Sequence, residues 1–357
     1  MANLAAEVAA LRAGADLEAL PRPFGPPLGT ADLRVLMSDF AVLEERGAPF
    51  AETGEHLYLR VRKCGQNTRW VAQQLAAFAG LPYKAVSYAG LKDRHAVTEQ
   101  WFSLHLPGQA GPDWNAFALP DVTVVAARRH DRKLRQGFLS YNRFSIVLRN
   151  LSAVDAGILA ERLRCMAQNG VPNYFGPQRF GRDAGNLSLA LRPGGWRRLP
   201  RAQRSFALSA LRGALFNLYV AERVRGGSWL TGLEGDAQQS DRARGAAEQD
   251  TSVFEPRLAP AGPLWGRGNG GASGAARELE ERVYGAFPAI TGLLEQAGAR
   301  FSRRPLIARL GELDWDHTGD QLRLQFALGP GAFATTVLHA ALTARDAATI
   351  EDDSADA

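Results

Sequence analysis

The residues best placed for chemistry lie in one short stretch, Ala89-Gly90-Leu91-Lys92-Asp93-Arg94-His95-Ala96-Val97-Thr98-Glu99-Gln100. Asp93 sits between two cations, and a nearby positive charge favours the ionised form of a carboxylate. That suits a nucleophile or an anionic base better than a general acid. Gly90 is expected to let the backbone pass close to another group. A Lys-Asp-Arg triplet alone is ordinarily a solvated turn, so the rest of the chain must decide its role.

Strands are expected on both sides of this loop. Ala85 to Ala89 is apolar, and in Trp101 to Leu106 the residues Phe102, Leu104 and Leu106 alternate with Trp101, Ser103 and His105. A loop leading into a strand is a common seat for a working side chain. Upstream, residues 39–44 and 55–63 read as strands. In the second, Leu57, Leu59 and Val61 face one way, and Tyr58, Arg60 and Arg62 face the other, where the arginines could meet phosphate. Asn67-Thr68 caps a helix running to Gly80, with Val71, Leu75 and Phe78 on one face. Val122 to Ala126 is a further strand, and the cations Arg128, Arg129, Arg132, Lys133 and Arg135 follow around His130. Residues 140–148 form another strand.

Residues 1–30, ending in Pro21, Pro23, Pro26 and Pro27, read as an arm or linker. From about residue 150 the pattern is helical. Ser152 with Asp155 suggests a capping box, followed by a helix with Ile158, Leu159, Leu163 and Met166 inward. Residues 205–225 are a long helix, 231–275 mostly loop, and Pro288 opens another helix. Leu322, Leu324, Phe326 and Leu328 alternate as a strand, with a helix expected from Ala334 to Arg345. The order of sheet, helices and sheet predicts an α+β domain interrupted by a mainly helical insertion.

Composition narrows the function classes. The 357 residues are 46% hydrophobic and 22% charged, with formal charge +5, an ordinary globular balance. Nearly all the cations are arginine, whose planar fork suits phosphate. Cys64 and Cys165 lack metal-ligand or disulfide spacing, so no metal is expected. Glu7 and Arg12 within the first apolar run do not fit a signal peptide. No apolar run approaches a membrane span. A cytoplasmic location and no membrane contact are expected.

Five separated stretches carry a family resemblance. They are Asp39-Phe40-x-Val42-x-Glu44, then Gly90-Leu91-Lys92-Asp93-Arg94-x-Ala96-Val97-Thr98-x-Gln100, then Arg132-Lys133-Leu134-Arg135 with Asn142-x-Phe144, then Val171-Pro172-Asn173-Tyr174-Phe175-Gly176-x-Gln178-Arg179-Phe180-Gly181, and Gly331-Ala332-Phe333-Ala334-Thr335. In this order they resemble the TruD-type tRNA pseudouridine synthases, which act on uridine 13 of tRNA. The resemblance implies a pseudouridine synthase catalytic domain with a mixed, largely antiparallel sheet, interrupted by a family-specific inserted domain. The expected division is residues 1–150 and 305–350 catalytic, 151–304 inserted, and 351–357 an acidic tail.

The resemblance makes Asp93 the catalytic residue and Phe40, Asn142 and Phe333 parts of the uridine site, with Phe144 stacking on the target base. Arg34, Lys92, Arg94, Arg132, Lys133 and Arg135 are the expected contacts to the RNA backbone. It implies no cofactor, since the reaction is an isomerisation, and tRNA as the partner of a monomer that needs no second protein. The chain departs from the family pattern at Arg34, where lysine is usual, at Tyr141 in place of glycine, and at His339-Ala340 in place of Arg-Glu. Two other classes fit parts of the sequence. One is a non-catalytic RNA-binding or chaperone protein on the same fold. The other is a glycosidase or nucleoside hydrolase, which ordinarily requires a partner carboxylate.

Overall fold

The computed structural model describes residues 2–46, 49–135, 141–192, 195–237, 259–268 and 270–348. The acidic tail and about half of the expected 231–275 loop lie outside the described residues. The chain opens with helix α1 (Ala2–Leu11) and strands β1 (Thr30–Leu33), β2 (Phe40–Glu45) and β3 (His56–Cys64). Helix α2 (Thr68–Phe78) follows, then β4 (Val86–Tyr88), β5 (Val97–His105), β6 (Val122–His130) and β7 (Tyr141–Arg149). The middle of the chain holds α3 (Ala156–Asn169), β8 (Val171–Pro172), α4 (Gly185–Ser188), α5 (Arg201–Arg225), β9 (Ala261–Leu264), α6 (Gly274–Gly285) and α7 (Pro288–Gln296). It ends with β10 (Ser302–Pro305), β11 (Ile307–Ala308), β12 (Leu310–Thr318), β13 (Gln321–Leu328), α8 (Ala334–His339) and β14 (Thr343–Asp346).

The main sheet runs β12-β13-β7-β2-β5-β3-β6, with β1 joining β7 and β14, and β4 joining β5. It is mixed and largely antiparallel; β2 with β5 and β1 with β14 are the parallel pairs. Thus the fold is α+β, as the sheet–helix–sheet order implied. β5 is central and buried along both faces. The helix α2 covers one face, where Val71 and Leu75 meet Leu59, Phe102 and Leu104. On the other, Trp101 packs with Tyr58, Ala89 and Leu134. That is why its alternation is weaker in burial than in sequence.

Two stretches pack across the expected division at residue 150. Leu159, Leu163 and Met166 of α3 lie in the core under the sheet, with Ile146, Leu322 and Leu324. Val8, Leu11, Leu17 and Leu20 lie instead in the helical core with Leu215, Tyr219 and Ile290. The first twenty residues are therefore not a free arm. Asn217 ties them down, donating to Gly14 O at 2.8 Å.

Local signals hold in several places. The Asn67 side chain caps α2 by accepting from Arg69 N–H at 3.0 Å, and Pro288 occupies the first turn of α7. Others are corrected. The cap of α3 is Asp155, which accepts from Ile158 N–H at 2.9 Å, while Ser152 Oγ accepts from Thr30 N–H. Ile158 and Phe78 are exposed rather than inward. Phe78 lies against Trp114 and Phe117, with ring centroids 5.4 and 5.1 Å away. The helix expected from Ala334 to Arg345 stops at His339, and the chain re-enters the sheet as β14.

Candidate active site

Asp93 sits in the 89–96 loop of the β4–β5 hairpin. The loop is fastened at four successive points. Gln100 Nε2 donates to Gly90 O at 3.2 Å. Lys92 N–H donates to Thr68 Oγ1 at 3.0 Å, and that hydroxyl donates on to Gln100 Oε1 at 3.0 Å. Lys63 Nζ donates to Asp93 O at 2.9 Å, and Arg94 Nε donates to Gly65 O at 3.3 Å. Gly90 differs from expectation: a Cβ there would meet open space, so close backbone approach is not its role. Its carbonyl is the anchored group.

The loop forms one wall of a cavity of about 160 Å³ lined by Phe40, Val42, Leu91, Lys92, Asp93, Asn142, Phe144, Gln178 and the 332–335 segment. The strands bring these together by register. Phe144 lies opposite Val42 on one side and Phe326 on the other, and Asn142 lies opposite Glu44 and Leu328. Period-two alternation then places Phe40, Val42 and Glu44 of β2 on the same face as Asn142 and Phe144 of β7. Phe333 enters from the N-cap of α8. Gly176 lets the 171–181 loop, with Gln178, close over it, because a Cβ at 176 would meet Thr335 Oγ1 at 2.6 Å.

Asp93, Phe40, Asn142, Phe144 and Phe333 thus line one cavity. Phe40 and Phe144 are nearly buried, meeting edge to face at 6.1 Å, and Phe144 already stacks on Phe326 at 5.4 Å. They form the apolar floor. Phe333 is half-buried and packs edge-on to Phe175 at 5.9 Å.

The cations divide differently from their sequence order. Lys92 turns away from Asp93 and its side chain is nearly buried: its Nζ pairs with Glu44 Oε2 at 2.9 Å and donates to Asn142 Oδ1 at 2.7 Å. It is therefore withdrawn from the expected contact to RNA backbone. The cation beside the Asp93 carboxylate is Arg34, whose Nη1 lies 3.9 Å from Oδ2. The Arg34 side chain is nearly buried too. Its guanidinium lies 4.9 Å over the Phe40 ring, and its Nη2 pairs with Asp346 at 3.0 Å. So Arg34 is also withdrawn from the surface. Burial raises the Asp346 carboxyl above its usual range, against the pull of Arg34. Arg94 remains exposed.

The basic run is held beside the loop by one apolar residue. Leu134 is buried with Tyr58, Ala89 and Trp101, and its N–H donates to Ser103 Oγ at 3.3 Å. Arg132, Lys133 and Arg135 around it are exposed. Arg129 instead caps the 106–110 turn, donating to Leu106 O, Gln109 O and Ala110 O. Arg60 and Arg62 share the Glu99 carboxylate, so that sheet face is paired charge rather than open cation.

Four site residues carry no functional assignment from sequence. Glu44 and Gln178 stand inside the motif stretches without a role of their own. Lys63 continues the inward phase of Leu57, Leu59 and Val61, a legible signal of a buried charge. Asp346 has no such signal, because it reaches Arg34 only through the β1–β14 pairing, Leu33 opposite Asp346. Of the departures from the family pattern, Tyr141 starts a regular strand opposite Glu45. His339 and Ala340 are buried.

The family model of tRNA pseudouridine synthase D (TruD) matches residues 27–190 and 192–340. The chain is 41% identical to tRNA pseudouridine synthase D of Aeromonas salmonicida over 93% of its own length and 96% of that protein. It is 44% identical to the Pseudomonas putida protein of the same name, over 90% and 94%. A crystal structure described as a putative tRNA pseudouridine synthase D from Methanosarcina mazei shares the fold, with TM-score 0.66 and 21% identity over 89% of this chain and 94% of that one. The chain belongs to the tRNA pseudouridine synthase D family.

Proposed function

We propose that the protein converts uridine 13 of tRNA to pseudouridine, with Asp93 acting on the flipped nucleotide. In this isomerisation the bond from ribose C1′ to uracil N1 breaks, the base turns, and C1′ bonds to C5; N1 gains a proton and C5 loses one. The observation that carries the reading is the convergence of Asp93, Asn142 and three phenylalanines on one cavity. A base leaves its stack to be reached by an enzyme, and an aromatic wall receives it for about 1–3 kcal/mol. Phe333 is the accessible ring for that contact, with Phe40 and Phe144 as floor.

Asn142 has a set polarity. An ammonium only donates, so Lys92 fixes the amide with Oδ1 inward. The amide NH₂ is then the group available to a uracil carbonyl. Arg34 lies at a distance that orients the Asp93 carboxylate while Asp346 takes the closer bond. Either attack on the sugar or removal of a sugar proton is open to a carboxylate so placed. Exposed Arg94, Arg132, Lys133 and Arg135 supply phosphate contacts.

The test is Asp93→Asn on a tRNA transcript bearing uridine 13. Pseudouridine formation should drop below detection while RNA binding persists. Full activity in the variant would refute the assignment. Binding without pseudouridine in the unmutated protein would favour the non-catalytic reading, and release of free uracil a hydrolase.

A further inference from the structure

The structure assigns Lys63 a positioning role for Asp93, exerted through the main chain. Lys63 is at the end of β3 and fully buried. Its Nζ donates to Gln66 O at 2.8 Å and to Asp93 O at 2.9 Å. The ammonium thus ties the strand-exit turn to the peptide carbonyl of the candidate catalytic residue itself. A buried ammonium is costly unless its donors are satisfied, and both acceptors here are carbonyls rather than a carboxylate. What the burial achieves is therefore the fixing of the loop.

Two other anchors act on one side, at Gly90 and Lys92 through Gln100 and Thr68. Lys63 is the side chain that holds Asp93 O. The charged and titratable groups facing it are Asp93, Lys92 and the Cys64 thiol. Burial brings the Lys63 amine down to about 8, with Asp93 opposing the shift and Lys92 adding to it. Within the ordinary working range the amine therefore changes charge. Losing the proton removes one donor and the charge from beneath the loop. This inference rests on the reading of Asp93 as catalytic.

The test compares Lys63→Met, Lys63→Gln and Asp93→Asn with the unmutated full chain on a tRNA transcript, measuring kcat and KM from about pH 6.5 to 9, on either side of the Lys63 titration. Lys63→Met should lose at least about tenfold in kcat with KM within about twofold. Lys63→Gln, which keeps a donor, should recover part of that. The unmutated protein should lose kcat above about pH 8, and Lys63→Gln should lack that limb; uridine ionisation is common to both and cancels in the comparison. Undiminished kcat in folded Lys63→Met, or superposable pH profiles for Lys63→Gln and the unmutated protein, would overturn the inference. If Lys63→Met does not fold, the Lys63→Gln profile decides. Activity retained in Asp93→Asn would instead bring down the reading of the site.

Discussion

The Asp93 loop and the basic run at Arg132–Arg135 contain the same residue types and are held by the same apolar cluster around Ala89 and Leu134. They use their cations in opposite ways. Around Asp93, the side chains of Lys63, Lys92 and Arg34 are buried or nearly so, and committed to carbonyls, Glu44, Asn142 and Asp346. In the run, Arg132, Lys133 and Arg135 reach solvent. Arg132 makes a loose pair with Asp131 at 3.7 Å, both half exposed or more. The difference teaches that charge near a carboxylate in sequence says little about its partner. Burial decides whether a cation positions the site or meets the substrate.

The largest effect should come from Lys92→Met. It leaves the buried Glu44 carboxylate unpaired, and breaking a buried pair from one side costs about 3–5 kcal/mol. Denaturant unfolding should show that loss together with a fall in pseudouridine formation. A stability change below about 1 kcal/mol would place Lys92 with the surface cations and break the contrast.

A smaller effect concerns another inward-facing group. His339 is buried against Tyr174, and burial, reinforced by Arg22, lowers its imidazole to about 3. The folded value lies below the unfolded one of about 6.5, so only the unfolded chain takes up a proton between them. The contribution is fully present above about pH 6.5 and is lost as pH falls toward about 3, at up to about 1.4 kcal/mol per pH unit. His339→Leu should flatten the acid side of a stability-versus-pH curve. An unchanged slope would mean that the ring takes up its proton in the folded protein.

The smallest effect on stability should come from Arg132→Ala, Lys133→Ala and Arg135→Ala combined. Surface changes of this kind stay within about 0.5 kcal/mol each. RNA affinity should nonetheless weaken, and the slope of log affinity against log salt should become shallower by about 0.7–0.9 for each phosphate that the variant no longer neutralises. An unaltered salt slope would remove the run from the RNA surface and leave Arg94 as the exposed cation nearest Asp93 in the chain.

Much of the fold and the site is legible in the sequence because it is local. The alternation of Leu322, Leu324, Phe326 and Leu328 does read as β13, and Asn67 caps the helix it precedes. The motif residues Asp93, Phe40, Asn142, Phe144 and Phe333 do share one cavity. What escapes depends on distant partners. Residues 343–346 have no strong strand pattern; parallel pairing with β1 extends them. Residues 8–20 read as an arm because the core that receives them, around Leu215 and Ile290, is encoded roughly two to three hundred residues later. Lys92, next to Asp93 in the chain, turns to Glu44, and Arg34, distant in the chain, stands beside the Asp93 carboxylate instead; only the tertiary neighbours fix which carboxylate each one meets.

The return of β14 to β1 has a consequence for biogenesis. Asp93, Phe40 and Asn142 are translated early, but Phe333, Thr335 and Asp346 are among the last described residues to leave the ribosome. Until that segment docks, one wall of the cavity is missing and Arg34 lacks its second carboxylate. A nascent chain can form most of its sheet and still leave the cavity open, so the wall is completed only once the segment from Phe333 to Asp346 has emerged and docked.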